Sequence, residues 1–150
     1  MSGSRAAPGP SIECTRRLQF CAGHRIWGHE NKCAYLHGHN YVVFFHATAP
    51  ELDDIGRVID FSVLKTRLGS WIEEHWDHGF ILHRDDEEAR SAVSRIPDQK
   101  TFLLDANPTS ENMARYLLET VAPQQLEGLG VEVVKVVLWE TENCFAEVRR

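Results

Sequence analysis

Residues 14–24 read Cys14-Thr15-Arg16-Arg17-Leu18-Gln19-Phe20-Cys21-Ala22-Gly23-His24. Cys14, Leu18, Phe20 and Ala22 share one parity; Thr15, Arg17 and Gln19 share the other. A two-residue period predicts a half-buried strand. His24 falls in phase with its apolar side, and Arg16 breaks that side. After an irregular stretch over 25–36, a second strand is predicted from His37 to Thr48, centred on Tyr41-Val42-Val43-Phe44-Phe45. Two adjacent strands at the start of the chain set the frame for everything that follows.

Working outward, Pro50, Asp53, Asp54 and Gly56 predict a turn, and Val58-Ile59 a further short strand. Asp60 is a predicted N-cap. Phe61, Leu64, Leu68, Trp71, Ile72 and His75 then recur at steps of three or four, the spacing of an amphipathic helix. The charge run Arg84-Asp85-Asp86-Glu87-Glu88 places residues 84–95 in a solvated loop or short helix. Asn107-Pro108-Thr109 signals a helix start, continued by Met113, Tyr116, Leu117, Thr120 and Val121 and ended by Pro123. Val131–Trp139 is a β-branched strand, Thr141-Glu142-Asn143 a turn and Cys144–Arg149 a last strand. There is no internal repeat. Strand pairs flanking helices predict an α+β fold, an antiparallel sheet covered on one face by two helices.

The chain has 150 residues, a length that suggests one domain. At 43% apolar and 25% charged it is neither a disordered chain nor a coiled coil. Residues 1–11, rich in Ser, Gly, Ala and Pro, are read as a disordered tail, leaving 12–150 as the domain. There is no apolar run of membrane-spanning length and no basic-then-apolar leader, so the expected location is cytoplasmic. A net charge of −6 without a basic stripe argues against a nucleic-acid partner. Eight His and four Cys remain to be explained. In a leaderless chain such Cys are expected to be thiols, ligands or catalysts rather than disulfides.

His37-Gly38-His39 is the strongest local signal. On a strand, positions i and i+2 face the same side, about 7 Å apart, so both imidazoles can close on one ion. His24, in phase on a neighbouring strand, offers a third nitrogen. Three His with one open position is a catalytic zinc arrangement, although imidazole also suits copper, iron and nickel. An isolated His-x-His is more often plain polar decoration. Cys33, four residues before His37, is a candidate general base or nucleophile, with a fourth metal ligand or an idle thiol as the alternatives. Asp77-His78 has the carboxylate beside an imidazole that orients a proton carrier, or else is turn chemistry. Glu140 shares the parity of Val134, Val136 and Leu138. A carboxylate on a buried face needs partners. These are either a ligand offering two parallel N–H donors, or an internal cation or solvent.

Cys33-Ala34-Tyr35-Leu36-His37-Gly38-His39 resembles the C-x-x-x-H-G-H motif of the 6-pyruvoyl-tetrahydropterin synthase superfamily, most closely its 6-carboxy-5,6,7,8-tetrahydropterin synthase branch, which serves queuosine biosynthesis. Phe20-Cys21-Ala22-Gly23-His24, Val58-Ile59-Asp60-Phe61, Asp77-His78, Pro108-Thr109-Ser110-Glu111-Asn112 and Glu140-Thr141 match in order. The resemblance implies a T-fold (tunnelling fold), a four-stranded antiparallel sheet with two helices on one face. It implies trimers or hexamers with active sites between subunits. It also implies Zn2+ on His24, His37 and His39, and Cys33 as the catalytic thiol. Asp77 and His78 would be a proton relay presented by an adjacent subunit. Glu140 would hold the pterin edge, with Thr109, Ser110 and Glu111 in the same pocket. The implied substrate is 7,8-dihydroneopterin triphosphate. The carboxy branch converts it to 6-carboxy-5,6,7,8-tetrahydropterin with loss of acetaldehyde and triphosphate; the pyruvoyl branch eliminates triphosphate only. A non-catalytic zinc-stabilised pterin- or purine-binding module is the alternative of another class. After Asp77-His78 the chain runs Gly79-Phe80-Ile81-Leu82 where many members carry Leu-Asn. A net-negative protein must also gather local basic groups for a triphosphate, and Arg16, Arg25 and Lys32 are the candidates.

Overall fold

A computed structural model describes residue 3 and residues 9–150. Most of the predicted N-terminal tail therefore lies outside the described residues. The first two strands form as their alternation predicts: β1 spans Cys14–His24 and β2 His37–Thr48. They pair antiparallel in register from Cys14↔Ala47 to His24↔His37. A 3-10 turn over Lys32–Ala34 is the only regular element in the connecting loop. After the loop that follows β2, α1 runs over Phe61–His75, with Asp60 accepting from the Ser62 N–H as its cap. Val58 and Ile59 form no strand; they pack against the core as partly buried residues.

The segment between the two predicted helices holds more structure than its sequence suggests. It contains β3 at Gly79–His83, α2 at Glu87–Ser94 and β4 at Thr101–Leu104. The sheet thus has six strands in the order β4-β3-β1-β2-β5-β6, where β5 is Glu132–Thr141 and β6 Cys144–Arg149. Strands β1, β2, β5 and β6 are the antiparallel set expected, while β3 runs parallel to β1 and β4 parallel to β3. Two short strands extend the expected four because Phe80-Ile81-Leu82 and Phe102-Leu103-Leu104 are continuous apolar runs. Such runs are too short to distinguish buried strand from helix by periodicity.

The next helix starts at α3, Ser110–Tyr116, capped by the Thr109 side chain on the Asn112 N–H. Pro123 does not end it. The chain widens into a π-turn over Leu117–Val121, with the Ala122 N–H reaching Leu117 O, and continues as α4 over Ala122–Gln125. The wider turn accommodates a residue with no N–H to give.

Leu64, Leu68 and Ile72 of α1, and Met113, Leu117 and Val121 of the second helical run, bury their stripes against one sheet face. Phe20, Tyr41, Val43, Phe45, Val136 and Leu138 supply the sheet's side of that core. Each such side chain contributes roughly 1.5–3 kcal/mol by leaving water. Leu82, Ala89 and Val93 make a smaller cluster under α2.

Candidate active site

The core-facing parity of β1 and β2 ends in polar residues. Ala22 and Tyr41 are buried apolar neighbours, and the next residues on that parity are His24, His39 and His37. Gly23 and Gly38 pair directly between them, and a Cβ on Gly23 would stand 2.4 Å from the Phe80 ring, so a side chain here would displace that ring. The three imidazoles converge with ring centroids 4.7, 5.0 and 4.9 Å apart, and each supplies one nitrogen within 4.8 Å of the others.

Their outer nitrogens decide what this cluster is for. His24 Nδ1 lies 2.7 Å from the Pro108 carbonyl, and His37 Nδ1 lies 2.7 Å from the Tyr35 carbonyl. A carbonyl only accepts, so each Nδ1 carries the proton. That leaves His24 Nε2 and His37 Nε2 facing each other at 3.1 Å with lone pairs on both. His39 Nε2 is buried with no hydrogen-bond partner, 3.2 Å from Glu140 Oε1 but not aligned for a bond. Two nitrogens with free lone pairs and the buried, unpartnered His39 Nε2, all turned on one point, could hold a cation, and carbonyls holding the far side of imidazoles are the usual support of such a site. Burial, opposed by the Pro108 carbonyl and Glu140, pushes the His24 imidazolium down, which keeps that ring neutral and ligating. The donor set fits a borderline divalent ion such as Zn2+.

Glu140 stands beside this cluster. Its Oε2 accepts from the Ser110 hydroxyl at 3.0 Å, and the β5–β6 register shifts beside it, between Trp139 and Thr141. A second irregularity, between His46 and Ala47 opposite, buries Val133 instead of the Val134 expected from simple alternation. A carboxylate has about four acceptor positions, so Glu140 keeps capacity for a ligand. Thr109 caps α3, Ser110 is buried, and Glu111 is exposed in the helix's first turn.

Asp77 and His78 lie elsewhere. Asp77 Oδ1 accepts from the Cys21 N–H at 2.9 Å, and its Oδ2 is 2.8 Å from His78 Nδ1. His78 adopts a left-handed φ of 60° and donates its N–H to Cys21 O at 2.7 Å. Cys21 is three residues before His24, an odd spacing, so its side chain leaves the opposite sheet face from the histidine trio. One chain therefore holds the trio and the Asp77-His78 pair on different faces.

Cys33 sits half-buried in the 3-10 turn, its carbonyl accepting from the Ile26 N–H at 2.8 Å; its thiol joins neither convergent cluster among the described residues. Arg25 is not free for a phosphate: it makes a bidentate pair with buried Asp86 at 2.6 and 2.5 Å. Arg16 is about 26 Å along β1 from His24, counting eight residues, and Lys32 is exposed in the loop. Sequence reasoning missed Asn107. Its side chain brackets Trp27, accepting from the N–H and donating to the carbonyl, both at 2.9 Å, and so ties the loop carrying Cys33 to the start of α3.

A sheet with helices on one face and three convergent imidazoles that could hold a cation at the end of its central strands is an arrangement of the T-fold class. The comparisons specify it. Residues 13–150 match the model of the family described as 6-pyruvoyl tetrahydropterin synthase, and the chain belongs to that family. It is 44% identical over 137 residues to 6-carboxy-5,6,7,8-tetrahydropterin synthase of Rickettsia felis, covering 91% of this chain and 99% of that one. It is 33% identical to the protein of the same name from Aquifex aeolicus, covering 91% and 97%. Among solved structures, a Wolinella succinogenes protein superposes with a TM-score of 0.78 at 26% identity, covering 95% and 99% of the two chains. The 6-pyruvoyl tetrahydropterin synthase of Plasmodium falciparum shares the fold, with a TM-score of 0.69 at 21% identity and the same coverage.

Proposed function

We propose that this pterin-acting enzyme is a zinc-dependent lyase that converts 7,8-dihydroneopterin triphosphate and one water to 6-carboxy-5,6,7,8-tetrahydropterin, releasing acetaldehyde and triphosphate, in the cytoplasmic synthesis of queuosine. The single observation that carries the reading is the convergence of three imidazole nitrogens, two of them with their protons held on the far side by carbonyls, beside a carboxylate with spare acceptor positions. The name shared by relatives that match nearly end to end supports the carboxy product.

His24, His37 and His39 would hold the ion. Bound there, zinc supplies Lewis acidity that makes protons on carbons next to coordinated hydroxyls easier to remove. Glu140 accepts two N–H bonds from the guanidine-like edge of the pterin, and the Ser110 hydroxyl fixes the carboxylate's rotation. Thr109 and Glu111 border that pocket. Cys33 takes a proton from the substrate side chain as thiolate. His78, with Nδ1 held by Asp77, offers Nε2 to deliver or relay a proton. Because the trio and the Asp77-His78 pair leave opposite faces, the relay acts on the site of a neighbouring copy, which supports a trimeric or hexameric assembly.

Incubation with the dihydropterin triphosphate and product mass separate the readings. A carboxy product supports the assignment, and a retained three-carbon side chain assigns the pyruvoyl reaction instead. Ligand binding without turnover identifies a binding module.

A further inference from the structure

The cluster on the far side of β1 contains a group with no part in the reaction above. Cys21 Sγ, a carboxylate oxygen of Asp77 and a ring nitrogen of His78 lie within 4.8 Å of one another. We propose that these residues form a thiol–imidazole–carboxylate triad that makes Cys21 a reactive nucleophile, a covalent modification site for soft carbon electrophiles.

The order of contacts supports this. Asp77 Oδ2 holds His78 Nδ1 at 2.8 Å, which assigns the proton to Nδ1 and leaves Nε2 as the base. The thiol's own backbone positions the pair: the Cys21 N–H binds Asp77 Oδ1, and the Cys21 carbonyl accepts from the His78 N–H. His78 pays for that placement with a left-handed backbone, φ 60°, a conformation that costs a non-glycine residue energy and collects at working sites. Lys100, its Nζ 2.7 Å from the carbonyls of Glu73 and Asp77, adds a positive charge beside the Asp77 carboxylate. The thiol opens on a cleft of about 360 Å³ bordered by Asn40, Phe80 and Gln99, large enough for a small electrophile. Thiol, base and orienting carboxylate in this arrangement are the parts of an activated cysteine.

The step balances. The Cys21 thiol gives its proton to the His78 imidazole, and the thiolate attacks the carbon of an alkyl halide. A C–S bond forms, the carbon–halogen bond breaks and halide leaves with the electron pair. The other thiols lack this setting: Cys33 and Cys144 join no convergent cluster among the described residues, and burial pushes the Cys14 thiol up. Capping Cys21 would also remove His78 from proton transfer; that consequence, unlike the reactivity, rests on the proposed lyase reading.

The test is limited alkylation of the full chain with iodoacetamide at neutral pH, with each thiol's rate read by peptide mass. Cys144, exposed and without neighbours of this kind, is the internal reference. His78→Asn is the informative variant, since asparagine tolerates the left-handed backbone and keeps the N–H bond to Cys21 O. The expected result is that Cys21 reacts at least tenfold slower relative to Cys144 in His78→Asn, and several-fold slower in Asp77→Asn, while Cys14 stays protected in all three proteins. Equal Cys21 rates in wild type and His78→Asn overturn the proposal. Release of Cys14 in a variant would mean the fold has opened. The comparison then passes to Asp77→Asn, and an unchanged Cys21 rate there overturns the proposal as well.

Discussion

At the residue scale, the histidine trio rests on three carbonyl or burial constraints that act on individual nitrogens. Removing one ligand leaves two imidazoles and an ion with an extra open position. His37→Ala is expected to lose bound zinc and to drop kcat/KM by at least about a hundredfold, the upper end of what outer partners alone contribute to a metal site. Elemental analysis of the purified variant checks this, and undiminished zinc would remove His37 from the ligand set. Glu140→Gln keeps the shape and one acceptor but loses the charge. Since hydrogen bonds to charged groups are worth about 1.5–3 kcal/mol, KM is expected to rise roughly ten- to a hundredfold with little change in zinc content. A KM unchanged by that substitution would place the pterin edge elsewhere. The ligand trio was legible in the sequence because strand parity alone puts His24, His37 and His39 on one side. The carbonyls that hold their outer nitrogens were not. The Pro108 carbonyl is 84 residues from His24, and no local pattern announces it.

At the element scale, α2 and its neighbours hang on one carboxylate. Asp86 is almost fully buried, caps α2 through the Ala89 N–H and takes both arms of Arg25. The Arg25 hydrogen bonds hold its carboxyl below the usual carboxylate range. A depressed folded value means the stabilisation is complete above the unfolded carboxyl value of about 3.9 and is lost as pH falls through the folded one. Asp86→Asn is therefore expected to destabilise by about 1–3 kcal/mol at neutral pH. Its difference from wild type should shrink as the pH drops below about 4, as read by denaturant midpoints across pH. A constant difference over that range would show that the charge is not what matters. The segment from β3 to β4 was the least legible part of the chain. Charge-rich 84–88 looked solvated because Asp86 and Arg25, far apart in sequence, neutralise each other only in the fold. Short apolar β3 and β4 carry no alternation because they bury more than one side. By contrast β1, β2, α1 and the β5–β6 hairpin follow directly from their periods.

At the scale of the whole molecule, the histidine trio and the Asp77-His78 pair lie on opposite faces of one sheet, so the proposed site draws its relay from a neighbouring copy. Mixing His37→Ala chains with His78→Ala chains under conditions that exchange subunits is expected to restore activity absent from either alone. No recovery after demonstrated exchange would place the relay within one chain. The ion should also stabilise the fold. At a thousandfold excess over its Kd a ligand adds about 4 kcal/mol. At this chain length each kcal/mol moves Tm by about 2–4 °C. Chelation is thus expected to lower Tm by roughly 8–16 °C. The negative charge that argues against nucleic acid leaves a demand for cations at the triphosphate, and Arg25 is withdrawn from that role by Asp86. Incubation of the purified protein with 7,8-dihydroneopterin triphosphate, with and without a chelator, followed by product mass, decides between metal-dependent turnover and its absence. The expected result is 6-carboxy-5,6,7,8-tetrahydropterin with acetaldehyde in the untreated sample, loss of product on chelation, and recovery when zinc is restored. Turnover that persists without bound metal would contradict it.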